Sequence, residues 1–451
     1  MVKKAYLIGI GGMGMASLAL LAKEKNWQIS GSDLKESENT KQLQKKGIKV
    51  HIGHDPKNII NFKPDLAIYS SAIKDDNSEK AYAFKTGLTL KGRFAFLSDL
   101  ISPHMTVAVA GTHGKTSTTA MIGYIRQKAG LPAYTYLGGQ DDCLNNKKIK
   151  KETVIVLETD ESDRSFLLFD PDVAVITNID EDHLNNYDNS FLKLKKAFFE
   201  FIKGKGQRIW NVICIDDLNL KEISKNFKNV LTYSVKNQAD LEAKNILYNS
   251  KGTQVDIYYH NKKRGTLIWP ILGEKNLSNG LGAILASMLT GVTIEKSISI
   301  LKNFKLPDRR LEIKGNFKKA IVIDDHADHT TEIKATLEAI KVLNRRLIAI
   351  YQPHRYSRMK CLKKSIGKAF KSADMIITVD LCSAGEKSIK GVSGKAIFQW
   401  IKKTNSGKNV FYIKDWKNVP KFLSKKIKPK DCIVILGPGT ISGLSDLLIK
   451  N

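Results

Sequence analysis

The chain has 451 residues, 42% hydrophobic and 26% charged, with a formal net charge of +28 at pH 7. That length divides into two or three cores rather than one, the composition is that of an ordinary soluble globular protein, and no apolar run approaches the roughly 18 residues of a membrane span. The basicity is mostly lysine: 11 of 73 Lys and Arg residues are arginine, the lysines run along the whole chain, and no recognisable DNA- or RNA-binding module accompanies them, so no nucleic-acid partner is expected.

The N-terminus goes straight into an apolar strand, Tyr6 to Ile10, which argues against a signal peptide. Gly9-x-Gly11-x-x-Gly14 and an apolar helix from Met15 to Ala22 follow, then a strand from Gln28 to Gly31 that ends at Asp33. Glycines for a tight turn, a helix N-terminus for a diphosphate and an acid about 20 positions on form a dinucleotide fingerprint, and any diphosphate-linked sugar or nucleoside suits the same cradle. The strand Leu66 to Tyr69 ends in Ser70-Ser71, at the carboxyl edge where such sheets bind ligands. The pattern breaks around Ser102-Pro103-His104.

A new strand, Thr106 to Ala110, leads into Gly111-Thr-His-Gly114-Lys115-Thr116 and a helix. Small residues let backbone N–H groups close on anionic oxygens, and the first helical turn adds unpaired donors. Lys115 is placed to reach terminal phosphates and the Thr116 hydroxyl to ligate Mg²⁺. Val109 stands where the general phosphate loop has its first glycine, so this is a shortened, histidine-containing variant. Strand Val154 to Leu157 ends in Glu158-Thr-Asp160-Glu161-Ser-Asp163, and strand Val173 to Ile176 ends in Thr177-Asn-Ile-Asp180-Glu-Asp182-His183. Acids and an imidazole at strand ends beside a phosphate loop are placed to hold hard cations and water.

A third alternating unit begins near Leu306-Pro307. Its strands are Ala320 to Ile323, Leu347 to Tyr351, Ile376 to Val379 and Cys432 to Leu436, with a helix from Glu332 to Leu343. Two strand ends carry polar clusters, Asp324-Asp325-His326-Ala-Asp328-His329 and Gln352-Pro-His354-Arg355, which look like one binding site. Four of the scarce arginines are Arg309, Arg310, Arg355 and Arg358. Where lysine is the default cation, arginine points to a need for its planar fork. The five cysteines (143, 214, 361, 382, 432) are scattered and lack metal-ligand spacing, which fits a reduced, cytoplasmic compartment.

With these residues in view, the chain resembles the Mur ligases, and within them the branch that joins L-alanine to UDP-N-acetylmuramate. The segments GIGGMGM, GSDLKES, HIGHD and SSAI are similar to that family's uridine-diphosphate-binding domain. GTHGKTSTT, ETDESDRSFL and TNIDEDHLNNY are similar to its ATPase domain, GEKNLSNGLGA and DRRLEIKG to its adenine-contacting segments, and YQPHRYSR to its amino-acid-binding domain. The resemblance implies three α/β domains: a Rossmann-like UDP-sugar-binding domain over 1–105, a central P-loop ATPase-like domain with a parallel or mixed sheet over 106–306, and a Rossmann-like amino-acid-binding domain over 307–451. It implies an ATP-dependent, amide-forming ligase of peptidoglycan precursor synthesis that works through an acyl phosphate, with ATP and Mg²⁺ or Mn²⁺, as a monomer or weak homodimer.

The roles carried over are these. Catalysis falls to Lys115, His183, His329 and Arg358. ATP is held by Gly111, Thr112, Gly114, Lys115, Thr116, Ser117, Asn276 and Arg310. The UDP-sugar is held by Gly11, Gly12, Met13, Gly14, Asp33, Ser70, Ser71 and His113, and the metal by Thr116, Glu158 and His183. The amino acid meets His326, Asp328, Arg355 and Arg358. Closure of the domains around bound ligands is implied as well.

The departures cluster. Where the family typically reads Asp-Asp-Tyr-x-His-His-Pro, this chain has Asp324-Asp325-His326-Ala327-Asp328-His329-Thr330, and Lys275-Asn276 replaces a His-Asn pair. An aspartate there changes the pocket's charge by one unit, which favours an ammonium-bearing or larger substrate, or it orients His326 or His329. L-alanine is the first expectation, with glycine or L-serine next. The alternatives are a diverged paralogue that takes another amino acid or a peptide, and a non-catalytic precursor-binding protein. A nicotinamide dehydrogenase leaves the phosphate loop unexplained, and a GTPase would bring an Asn-Lys-x-Asp guanine reader, which is absent.

Overall fold

The computed structural model describes residues 2–70, 72–137, 149–206 and 209–450, with the backbone alone at Met13. Ser71 and the Met13 side chain, both expected at the sugar-nucleotide site, lie outside the described residues. The chain builds a three-domain α/β fold from three sheets, distributed over two compact units, Met1–Leu241 with Leu281–Ile300 and Glu242–Gly280 with Leu301–Asn451. No helix among the described residues is long and apolar enough to cross a membrane.

The first unit opens with β1 (Lys4–Ile8), β2 (Gln28–Asp33), β3 (Lys49–Ile52), β4 (Leu66–Tyr69) and β5 (Thr89–Gly92). They form a parallel sheet in the order β3-β2-β1-β4-β5. The order reverses between β1 and β4, where such sheets leave a crevice at the carboxyl ends. β1 stops two residues before the sequence pattern does. Gly9 turns to φ +81°, and the Ile10 N–H bonds to the Ser32 carbonyl at 2.9 Å instead of continuing the ladder.

The same unit continues with β6 (Thr106–Ala110), β7 (Ala133–Tyr136), β8 (Val154–Glu158), β9 (Val173–Ile176), β10 (Trp210–Cys214) and β11 (Val230–Ser234). These six are parallel, in the order β11-β10-β9-β6-β8-β7. β6 is buried along its whole length, which explains a continuous apolar run without alternation. Its neighbours β8 and β9 end beside the phosphate loop.

β12 (Leu241–Asn249), in the second unit from Glu242 on, is followed by β13 (Gly252–Tyr259) and β14 (Lys262–Trp269), an antiparallel pair. The sequence reading lacks these strands. β14 begins Lys-Lys-Arg and exposes those three residues, so its apolar alternation is weak. The last sheet comprises β15 (Glu312–Phe317), β16 (Ala320–Asp325), β17 (Leu347–Tyr351), β18 (Met375–Thr378), β19 (Asn409–Tyr412) and β20 (Cys432–Leu436), in the order β15-β16-β20-β17-β18-β19. All its pairs are parallel except β15 with β16. The central strands β16, β20 and β17 thus end together, and the two polar clusters become neighbours. The helix after β16 spans Thr330–Lys341, starting before Glu332 because His329 caps it and the Glu332 carboxylate accepts the His329 N–H at 3.4 Å.

Candidate active site

The phosphate loop joins β6 to the helix Lys115–Lys128. Val109, where the general motif has glycine, is fully buried inside β6, so the strand runs further and the loop is shorter. Gly111 sits at φ +134°, and a Cβ there would come within 2.1 Å of the Thr177 hydroxyl. Gly114 caps the helix at φ +83°. The end of β9 staples the loop. The Thr112 N–H donates to the Asn178 carbonyl at 3.1 Å and the His113 N–H to Asn178 Oδ1 at 3.0 Å. The Thr177 hydroxyl (2.6 Å) and Asn178 Nδ2 (2.9 Å) both donate to the His113 carbonyl.

Lys115 Nζ donates to Glu161 Oε2 at 2.8 Å and to the Gly111 carbonyl at 2.6 Å. Burial opposes its charge, but Glu161, Asp160 and Glu158 outweigh that and raise its pKa. Glu161 is 1% exposed, and its Oε1 has no hydrogen-bond partner among the described residues. Burial pushes this carboxyl upward against the pull of Lys115. The Thr116 hydroxyl donates to Glu158 Oε2 at 3.0 Å, and Ser117 is buried in the same first turn. His183, at φ +54°, holds Nε2 3.6 Å from Asp182 Oδ2. The His113 ring, 5% exposed, places Nε2 3.1 Å from Asp180 Oδ2. Glu161 and Asp180 therefore join the predicted residues directly. Their signal was their place in the acidic strand ends, which sequence alone did not resolve into single partners.

In the first domain, the Gly11 N–H donates to Asp33 Oδ2 at 2.8 Å. The acid after β2 thus braces the glycine loop itself. Gly12 caps the helix Met13–Glu24 without a side-chain bond. The Gly14 carbonyl accepts the Tyr136 hydroxyl at 2.8 Å, and a Cβ on Gly14 would collide with Arg93 Nη1 at 1.9 Å. Ser70 follows β4 directly, its Cβ 3.3 Å from where a Cβ on Gly9 would stand.

In the second unit, Arg309 pairs with Asp324 at 3.0 Å and donates to the Gly437 carbonyl at 2.5 Å. It braces the end of β16 against the turn after β20. Arg310 lies within electrostatic range of Asp325 and His326. Burial drives Asp325 up to about 6 against the pull of Arg310 and the Ala327 and Leu311 N–H groups. Burial, with Arg310 and Arg309, drives His326 down to about 3, leaving it neutral at pH 7. His329 is buried and accepts the Thr331 N–H on Nδ1 at 3.4 Å. Asp328, 3% exposed, bonds Arg358 Nη1 and lies 3.8 Å from His354 Nδ1. It thus meets Arg358, thirty residues along the chain. Arg355 stands at φ +62° before the helix Tyr356–Leu362. Asn276 donates to the Leu272 carbonyl at 2.9 Å, beside Gly273, where a Cβ would reach 2.8 Å from the Ala339 Cβ.

Three family profiles match in succession: one described as Mur ligase family, catalytic domain, over residues 4–104, the Mur ligase middle domain over 109–287, and the Mur ligase, glutamate ligase domain, over 309–439. The chain belongs to the Mur ligase family. It is 36% identical over 451 residues to UDP-N-acetylmuramate--L-alanine ligase of Dictyoglomus turgidum, covering 99% of this chain and 96% of that one. It is 35% identical over 453 residues to the ligase of the same name from Aquifex aeolicus, covering 100% and 98%. Among solved structures it matches UDP-N-acetylmuramate-alanine ligase of Thermotoga maritima with a TM-score of 0.81 at 26% identity, over 99% of this chain and 98% of that one. A murein peptide ligase of Psychrobacter arcticus shares the fold, with a TM-score of 0.69 at 24% identity over 99% and 98%.

Proposed function

We propose that this family member is an ATP-dependent ligase that joins L-alanine to the lactyl carboxylate of UDP-N-acetylmuramate, in the cytoplasm, as a step of peptidoglycan precursor synthesis. The carrying observation is the phosphate-loop constellation, Lys115 on Glu161 and Thr116 on Glu158, in a chain similar along its full length to ligases of that name. In the reaction, the lactyl carboxylate takes the γ-phosphoryl group of ATP to form an acyl phosphate and ADP. The amine of alanine then attacks the acyl carbon, and the amide forms as inorganic phosphate leaves.

Most of the first step is positioning and charge neutralisation. Lys115 exchanges Glu161 and the loop carbonyls for phosphate oxygens, and the N–H groups of residues 114–117 close on the same anion. Two oxygen donors 3.0 Å apart, the Thr116 hydroxyl and the Glu158 carboxylate, suit a hard divalent cation, and His183 would hold a second ion. Bound Mg²⁺ or Mn²⁺ neutralises phosphate charge. His113 faces the sugar nucleotide with the Gly11–Gly14 loop, Asp33 and Ser70. Asn276 and Arg310 contact the nucleotide, and His326, His329, Arg355 and Arg358 the amino-acid side. The boundaries 1–105, 106–306 and 307–451 and a monomer or weak homodimer complete the reading.

The test is phosphate release from ATP with UDP-N-acetylmuramate and each of the twenty amino acids. Alanine should stimulate most, with glycine and L-serine behind it, since one methyl or hydroxyl group discriminates by only about 1–3 kcal/mol. Stimulation by another amino acid and not by alanine would overturn the alanine assignment. Release with none would make the chain a precursor-binding protein.

A further inference from the structure

Resting on the reading of the last domain as the amino-acid site, we propose that Asp328 is a positioning residue: it holds the Arg358 guanidinium in one orientation and cancels its charge, so that the pocket takes a small amino acid with a single carboxylate and disfavours dicarboxylic ones.

Four observations support this. The Asp328 backbone is fixed from two elements: its N–H donates to Glu332 Oε2 at 3.3 Å, and its carbonyl accepts the hydroxyl of the fully buried Tyr351 at 3.3 Å. Its carboxylate, 4% exposed, then bonds Arg358 Nη1 on the helix Tyr356–Leu362, thirty residues along the chain. A guanidinium carries five N–H donors in a rigid fork, so a bond at one nitrogen orients the rest for a substrate carboxylate. Left unanchored, so long a side chain would spread over many rotamers.

The third observation is the charge balance. His354, also beside Asp328, is held near 4 by burial and by Arg355 and Arg358. It is neutral at pH 7, so Asp328, Arg358 and His354 together carry no net charge. The fourth concerns Arg355, which has Glu386 within electrostatic range. Glu386 is itself fixed by the Ser357 N–H at 2.9 Å and hydroxyl at 2.6 Å. Each of the two arginines meant for a carboxylate is thus matched by an acid from another segment. One substrate carboxylate finds an oriented fork, while a second finds the charges of Arg355 and Arg358 already matched.

The experiment compares wild type, Asp328→Asn, Arg358→Gln and the double variant in alanine-dependent phosphate release. Loss of a charge-assisted bond should raise the alanine KM of Asp328→Asn about tenfold, with kcat and the KM values for ATP and UDP-N-acetylmuramate little changed. L-Aspartate should inhibit that variant at several-fold lower concentration than it inhibits wild type. The double variant should match Arg358→Gln alone, the mark of residues acting as one unit, and Asp328→Glu should restore part of the alanine KM. An unchanged alanine KM, single effects that multiply in the double variant, or unchanged aspartate inhibition would each overturn the proposal. If wild type releases no phosphate with alanine, the functional reading fails instead. Urea midpoints of the same four proteins then judge the pair: coupling supports it and additivity overturns it.

Discussion

The phosphate loop and the segment Asp324–Thr330 use the same device in opposite order. Each lies at the carboxyl ends of parallel strands, and each sets a cation against a buried acid. In the first, the loop supplies Lys115 and the neighbouring strand end supplies Glu161. In the second, the loop supplies Asp328 and a distant helix supplies Arg358. The buried pair settles two charges that would each be costly alone. An anionic ligand can then replace the acid on Lys115 or share the fork of Arg358. What differs is selectivity: the lysine is a compact point charge for phosphate oxygens, whereas the arginine is a planar reader of one carboxylate.

Variants should break this parallel in graded ways. Lys115→Ala removes the charge on which phosphoryl transfer depends, and phosphate release should fall roughly 10²–10³-fold or more. Asp328→Asn should cost only the tenfold in alanine KM given above. Glu158→Gln should raise the divalent-cation requirement roughly 10–100-fold in a Mg²⁺ titration of activity, while the alanine KM holds. Gly111→Ala forces a Cβ against Thr177 at a positive φ, and the urea midpoint should drop by an amount equivalent to about 1–3 kcal/mol.

The smallest effect is a pH slope. The folded-state pKa of His326, about 3, lies below its unfolded value. Its contribution to stability is therefore present above about pH 6.5 and is lost as pH falls toward 3. Asp325, raised to about 6, acts the other way, losing its contribution as pH rises through 6. His326→Gln should therefore lower the slope of stability against pH between about pH 4 and 6 by about one bound proton. The check is the urea midpoint of both proteins across that range.

Much of the first region was legible in the sequence because its signal is local. Strand, glycine turn and Gly-Lys-Thr lie within a dozen residues, and Thr106–Ala110 and Val173–Ile176 are strands as the apolar runs indicate. The partner of Lys115 was not legible, since three acids stand within four residues and only the fold selects Glu161. The second region was legible as a cluster but not as a network. Asp328 and Arg358 meet because β16 and β17 flank β20, a long-range pairing that no spacing rule conveys. Arg309 went unassigned for the same reason: its partners Asp324 and Gly437 lie on β16 and just beyond β20.

The most direct measurement of the central claim is stoichiometry. Incubation with ATP, UDP-N-acetylmuramate and L-alanine, followed by mass spectrometry of the sugar nucleotide and assay of phosphate, should give one phosphate released for each alanyl amide formed. Phosphate released without amide, or no turnover with alanine while another amino acid is joined, would contradict the account.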